Sequence, residues 1–600
     1  MSDSQNSSGE LGMEKYFFRA SSVDFKKIAS SPIAYWLSES AFSAFEGKTF
    51  LRDVATTRVG MATGDNERFV RYWHEVANPR IGFNLNREDA SKSAKKWFPY
   101  ANGGEARKWY ANYYHVVNWE KDGSILQTDL HESGRVRAHN FNLDKIFKPG
   151  LTWSLINSTY NAIRVLPAGF LFSSGAPSLF SDSEDELPVI CGYYNSVVTS
   201  YFLSAINPTI NSNSGDADKL PYQFSAHQKA LVCKSVRAAV DLARNDWDSF
   251  EISWDFTGLP LLHSEFRQPS LKASYQKLRA HWRYRTLEMQ RLEEENNKIF
   301  IDAFGLEGQL TPMVQLSEIT LSCNPYYRYG GDKTEEELEA LLLADTMREL
   351  ISYAVGCMFG RYSLDKPGLI LASQGETLAD YLVQVPQPSF SPDDDNVIPL
   401  LDEDWFSDDI TLRFRQFLRV AFGEEYYEDN LAFIEQGLNV KSKRNYNLRD
   451  YFLGEFYTDH ISTSSSKRVG YKKRPIYWMF SSPKGTFNAL VYLHRYRPDT
   501  VSVVLRYLRD FRKKLASRLD YLQQVAISTS SSPSEKTKAI KETEVVKKQL
   551  LELDDYERDT LYPLATEQVE LDLDDGVKVN YLKLGAALKK IPGLDAKGED

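Results

Sequence analysis

Apolar residues at Leu271, Tyr275, Leu278, Trp282, Met289, Leu292 and Ile299 recur at close to three-four spacing, with Arg and Glu on the remaining faces. This pattern predicts one long charged helix over 271–303, a spacer or packing strut between domains. Ahead of it, residues 48–270 are rich in aromatic and β-branched side chains. They are punctuated by turn signals at Gly82, Asn102-Gly103-Gly104, Asp122-Gly123 and Ser133-Gly134. Val116-Val117-Asn118-Trp119 and Gly169-Phe170-Leu171-Phe172 read as strands, so this segment is expected to be a mixed α/β domain with a twisted sheet and inserted helices.

Beyond the long helix comes a stretch bearing Pro312, Pro325 and Gly330-Gly331. Thr334 followed by Glu337 forms a capping-box start for a helix through Ala354. The segment 333–430 is helical at both ends and is interrupted by a Pro-rich acidic loop from Pro386 to Asp395. Residues 431–600 read as helical again, with a helical hairpin over 500–555 broken by the run Ser528 to Ser534. At the other end, residues 1–12 read as disordered, and 13–47 as the edge of a domain whose remainder lies upstream. The expected order is therefore 1–47, 48–270, 271–332, 333–430 and 431–600. The fold class is a mixed α/β domain followed by mainly α-helical domains, without a complete doubly wound sheet.

A length of 600 residues suits three or four domains. No apolar run is long enough to span a bilayer, and the polar start lacks a secretory signal, so the expectation is a cytoplasmic protein with no membrane partner. Cys191, Cys233, Cys323 and Cys357 lie far apart without ligand spacing, and are expected to be buried thiols in a reducing compartment.

The net charge of −10 argues weakly against nucleic acid, but the charge is segregated. Residues 391–430 carry 12 Asp/Glu against 3 Arg, whereas 441–518 carry 18 Lys/Arg against 5 Asp/Glu. Phosphate binding needs a local positive field and not a positive protein. Two faces that pair with each other would give the same pattern.

Several chemistries are absent from the sequence. Nowhere are two glycines separated by one residue, as the cofactor turn of a doubly wound methyltransferase needs, and no Walker loop, HExxH or GxSxG occurs. No catalytic, cofactor-binding or metal residue is therefore assigned. Asn324-Pro325-Tyr326-Tyr327 is similar to the Asn-Pro-Pro-Tyr motif of amino-methyltransferases, but lacks its second proline. The alternative is an aromatic turn that seats the long helix.

Candidate nucleic-acid contacts fall in three groups. Arg58, Thr63, Asp65, Asn66 and Arg68 belong to a polar loop between a short strand and a helix, and Asn and Arg are the side chains that read base edges with two bonds. A helix cap at Asp65 or Asn66 is the alternative. Lys92, Lys95, Lys96 and Trp97, then Arg107, Lys108 and Trp109, interleave cations with aromatics in a way that suits backbone phosphates, or a solvated face. The densest group is Lys441, Lys443, Arg444 and Arg449, then Lys467, Arg468, Lys472, Lys473 and Arg474 beside a Ser/Thr-rich loop. Flexible basic loops clamp phosphates, although a docking patch for an acidic partner fits too.

Several stretches together resemble one family. Val59 to Phe69 is similar to the opening of the target-recognition domain of PglX-type adenine-specific DNA methyltransferases of BREX phage-defence systems. Lys96 to Tyr100, Arg107 to Tyr110 and Asn118-Trp119 resemble its next block. Leu203 to Gly215 resembles its closing helix and loop, and Glu293 to Ile301 its helical spacer. Gly360 to Gly368 and Arg474 to Ser482 are the longest similar runs. The resemblance extends in order from about residue 13 to about residue 520. Such enzymes transfer a methyl group from S-adenosyl-L-methionine to adenine N6, with the cofactor loop and catalytic tetrapeptide upstream of the matched region. The resemblance thus implies a DNA-specificity region in which 48–270 reads the major groove of double-stranded DNA and 441–474 holds phosphates, without a cofactor of its own. The partners it implies are a separate catalytic domain, other BREX proteins and an acidic DNA-mimicking phage inhibitor. The rival readings are an interaction scaffold for BREX components, or a methyltransferase active only with a separately encoded catalytic domain.

Overall fold

The structure is a computed structural model that describes residues 21–28, 32–156, 161–207, 213–462 and 471–594. It is mixed α/β, about half helical, with small sheets and no closed barrel. Among the described residues, the first part of the chain holds eight short strands: β1 (Thr56–Arg58), β2 (Val70–Tyr72), β3 (Trp97–Ala101), β4 (His115–Asn118), β5 (Gly150–Trp153), β6 (Ile163–Leu166), β7 (Leu171–Phe172) and β8 (Ser178–Phe180). They form two four-stranded sheets, in the orders β1-β8-β5-β6 and β2-β4-β3-β7. All the pairs in these sheets are antiparallel except β3 with β7. Strands β3, β5, β7 and β8 are wholly buried and β6 nearly so, whereas β1, β2 and β4 are partly open.

The helices used below are α1 (Glu120–Thr128), α2 (Glu186–Tyr194), α3 (Val197–Ile206), α4 (Ala226–Trp247), α5 (Leu271–Phe304), α6 (Glu335–Met358), α7 (Thr500–Ile527), α8 (Pro533–Tyr556) and α9 (Gly576–Leu584). Among the described residues no single helix is long and apolar enough to cross a membrane, and the apolar bent pair α2–α3 is largely buried in the core.

The long helix predicted at 271–303 is α5. Ser270 caps its start by accepting from the Ala273 N–H at 3.2 Å, and Gly305, at φ +62°, ends it. Its predicted apolar positions are buried except Ile299, which is half-buried. So are five polar ones, Ser274, Thr286, Glu293, Asn296 and Asn297. Asn296 donates to the Gly192 carbonyl at 2.8 Å, Asn297 accepts from the Val197 N–H at 2.9 Å, and Glu293 is described below. The capping box at Thr334 and Glu337 opens α6, which runs four residues past Ala354 to Met358. Helices α7 and α8 form the hairpin, braced by Arg512–Asp554 at 2.6 Å and Arg518–Glu542 at 2.5 Å.

The sequence reading missed a third sheet. Strands β9 (Ile398–Pro399), β10 (Tyr477–Ser481) and β11 (Asn488–Tyr492) pair antiparallel in the order β10-β11-β9. Nearly every residue of β10 and β11 is buried. The runs Tyr-Trp-Met-Phe and Ala-Leu-Val-Tyr therefore show no alternation, and an apolar run of that length does not distinguish strand from buried helix. One continuous core extends from Ile28 to Tyr492, and a second joins β10, β11, the hairpin and the C-terminal segment.

Candidate nucleic-acid interface

The loop singled out between β1 and β2 folds around a helix cap. The Asp65 carboxylate accepts from the Arg68 N–H at 3.1 Å and starts a one-turn helix at Asn66. Buried Thr63 donates its hydroxyl to Asn66 Oδ1 at 2.6 Å. Asp65 thus holds the loop as a cap, and Asn66 and Arg68 are left on the surface. Arg58 stays half-buried in β1, with its guanidinium donating to the Thr57 carbonyl at 3.0 Å.

This loop is backed by an element the sequence reading did not pick out. After α1 the chain forms a small β-hairpin over 129–137. Arg137 N–H donates to the Asp129 carbonyl at 3.0 Å, His131 N–H to Arg135 at 2.8 Å, and Gly134 N–H to His131 at 2.8 Å. The turn places Gly134 at φ +77°, as a three-residue hairpin loop needs. Residues 131–137 are all exposed, and so are two apolar side chains, Leu130 at 54% and Val136 at 42%.

The base of this hairpin is fixed to the loop. Ala62 and His139 exchange backbone hydrogen bonds at 3.1 and 3.0 Å, and Arg68 pairs with Asp129 at 2.8 Å. Gly64 lies at φ +74°, and a Cβ there would stand 2.8 Å from Arg137 Cβ. Only glycine allows both this backbone conformation and this approach. The sequence signal for the hairpin was Leu130-His131 and Arg135-Val136-Arg137 placed about Ser133-Gly134.

Beside the loop, on the side of Asn66, opens a cleft of about 280 Å³ lined by Tyr72, Asn102, Tyr114, His115, Arg474 and the start of α9. Tyr72 and His115 are register partners across β2 and β4, with ring centroids 4.7 Å apart. Lys472 Nζ stands 3.9 Å from the Tyr114 ring centroid. Burial, reinforced by the Lys472 charge, pushes His115 down to about 3, so its imidazole is neutral at physiological pH.

The wall of the cleft is the C-terminal segment, and it takes up part of the predicted cationic group. Asp574 accepts from Lys96 at 2.9 Å and from the Trp97 indole at 2.7 Å, and pairs with Arg80 at 3.3 Å. Burial works against this carboxylate, yet its bonds to Trp97 and Lys96 hold it below the usual range. Lys96 is therefore bound to a carboxylate of its own chain, where a phosphate contact was expected. Lys95 is half-buried, with its ammonium on the Pro79 carbonyl at 2.5 Å.

Arg107, Lys108 and Trp109 are corrected outright, because all three are buried. Lys108 pairs with Glu293 of α5 at 2.6 Å, and the Trp109 indole donates to the same carboxylate at 2.8 Å. Arg107 donates to Ser322 at 2.7 Å and lies over the Trp247 and Tyr327 rings. Cations interleaved with aromatics here pin the β-rich part of the chain to the long helix. Asn324-Pro325-Tyr326-Tyr327 belongs to the same junction. Asn324 is buried and caps a short helix through the Tyr326 N–H at 3.2 Å, and Tyr327 donates to the Ala106 carbonyl at 3.1 Å.

The 441–474 group divides. Lys441 and Arg444 are exposed, and Lys443 is exposed but paired with Glu455 at 2.6 Å. Arg449 clamps Asp404 and Asp409, while Arg506 meets Asp395 at 2.5 Å and Arg518 meets Glu403 at 2.7 Å. Part of the charge segregation therefore closes within the chain. Lys472 and Lys473 are half-buried, and Arg474 is buried 3.9 Å from Glu75, which removes it from the expected phosphate surface. Lys467 and Arg468 lie outside the described residues. Cys191, Cys323 and Cys357 are buried thiols, whereas Cys233 is only half-buried. Among the described residues no cluster of His, Cys, Asp or Glu suits a metal ion.

No protein-family model matches the chain. It is 35% identical over 586 residues to the adenine-specific methyltransferase BrxX of Escherichia coli O9:H4 (strain HS), covering 95% of this chain and 46% of that protein. It is 34% identical over 590 residues to the adenine-specific methyltransferase PglX of Lacticaseibacillus casei (strain Zhang), covering 96% of this chain and 46% of that protein. The chain is similar to about half of an adenine-specific methyltransferase. Its resemblance to PglX is thus matched at the level of whole-chain similarity, with both relatives about twice the length spanned.

Proposed function

We propose that this chain is the DNA-recognition region of an adenine-specific DNA methyltransferase of the BREX type. The observation that carries this reading is the similarity of 95% of the chain to 46% of BrxX. The strand topology supports it, because the described strands form small, mostly antiparallel sheets and not the parallel doubly wound sheet on which a nucleotide cofactor sits. The exposed hairpin and the Asn66–Arg68 surface supply side chains suited to base edges, with Lys441 and Arg444 exposed further along the chain. In this reading S-adenosyl-L-methionine binding and methyl transfer belong to the part of the relatives' length outside this chain. Other BREX components are then partners of the assembled protein.

The test is titration of a fluorescent duplex with the purified chain at several salt concentrations. Binding that weakens linearly in log–log form, as counterion release requires, supports the reading. Salt-insensitive binding, or none, overturns it.

A further inference from the structure

The recognition reading leaves open which element enters the DNA. We infer that the hairpin 129–137 is the reading finger, inserted into the major groove of duplex DNA with Arg135 and the Leu130–Val136 pair against base edges. This inference rests on the DNA-recognition reading and goes beyond it.

Shape is the first argument. Three residue steps separate Asp129 from Glu132, which at ~3.4 Å per residue places the tip about 10 Å beyond the base. The major groove is about 8.5 Å deep and 12 Å wide, and a two-stranded ribbon fits within it. The second argument is exposure. Leu130 and Val136 face each other across an antiparallel bridge and are both exposed, so that a partner surface could still cover them. Thymine C5-methyl groups form an apolar surface in that groove.

Charge and hydrogen bonding make the third argument. Arg135 sits at the tip in an exposed position, where a guanidinium can address guanine O6 and N7 with two bonds. Arg68 and Arg137 flank the base, both held by Asp129, at 2.8 and 3.5 Å. Finally, the finger is rigidly rooted. The Ala62–His139 backbone pair and the close approach at Gly64 fix its direction, as a base-reading side chain requires.

The experiment is selection from a randomised duplex pool with the full chain, followed by sequencing of the bound fraction. Wild type, Arg135→Ala and Leu130→Ser/Val136→Ser are compared, with thermal unfolding as a control that changes at these exposed positions leave the fold intact. Wild type is expected to enrich a defined site. Arg135→Ala is expected to lose preference at a guanine by on the order of tenfold, and the double variant at a thymine, while affinity for unrelated duplex stays within about twofold. An unchanged consensus in both variants, or wild-type binding without any consensus, overturns the finger and leaves DNA binding standing. Absence of DNA binding by every protein overturns the underlying reading as well.

Discussion

The Glu75 carboxylate accepts a hydrogen bond from the Val577 backbone N–H at 2.8 Å, across 502 positions of sequence. Its other oxygen accepts from the Tyr72 N–H at 2.9 Å. One buried acid thus caps the start of α9 and the end of β2 together. Replacing it with Ala strands a buried amide at Val577 and a part-buried one at Tyr72. Glu75→Ala is expected to destabilise the protein by about 2–3 kcal/mol in urea unfolding and to make the segment after residue 568 the first to be cut in limited proteolysis.

The buried Lys108–Glu293 pair has side chains only 7% and 3% exposed. Lys108→Met leaves an uncompensated carboxylate and is expected to cost roughly 3 kcal/mol. Adding Glu293→Gln restores neutrality while keeping an acceptor for Trp109, and is expected to recover most of that loss. Duplex affinity of the double variant should equal wild type, because Lys108 reaches no phosphate. Chemical denaturation and fluorescence anisotropy measure the two effects.

Glu251 supplies a pH dependence. It lines a cavity with Arg328, Arg348 and Asp459, accepts from Tyr471 at 3.0 Å and Ser352 at 3.2 Å, and is pushed by burial up to about 7. In the unfolded chain it titrates near its ordinary value of 4.5. Between these values the folded state holds a proton that the unfolded state has released. This contribution is therefore complete below about pH 4.5 and is lost as pH rises to about 7. Glu251→Gln is expected to flatten that slope and to be more stable than wild type at pH 8, by up to about 3 kcal/mol. Thermal unfolding as a function of pH checks the sign.

Gly64 governs how the finger is held. Gly64→Ala forces a side chain into a left-handed backbone and against Arg137, at a cost of about 1–2 kcal/mol. Discrimination between selected and unrelated duplexes is expected to fall several-fold, with non-specific affinity retained. Competition binding with the two duplexes reads this out.

Much of the framework was legible in the sequence because it is local. Ser270, Gly305 and the spacing from Leu271 to Ile299 define α5 without reference to anything else in the chain. Thr334 and Glu337 do the same for α6, and Ser528 to Ser534 contains the break between α7 and α8. What could not be read depends on distant partners. Lys96 looks like a phosphate ligand until Asp574 is brought to it from 478 positions away, and Lys108 until Glu293 arrives. Charge type is visible in sequence, but whether a charge is already satisfied is a property of the fold. The hairpin 129–137 was overlooked for the opposite reason, since its turn signal was plain but its exposure, which makes it a candidate reader, follows only from packing.

The tie between Glu75 and Val577 also sets a timetable. A ribosome adding roughly 5–20 residues per second needs on the order of half a minute or more to pass from one to the other. During that interval the cleft lacks one wall, and Lys96, Trp97 and Arg80 have not yet met Asp574. The nascent chain therefore displays a more cationic, less rigid face than the finished one. Emergence of the segment around Val577, and not merely of the strands that carry the finger, is the event that gives this surface its final shape.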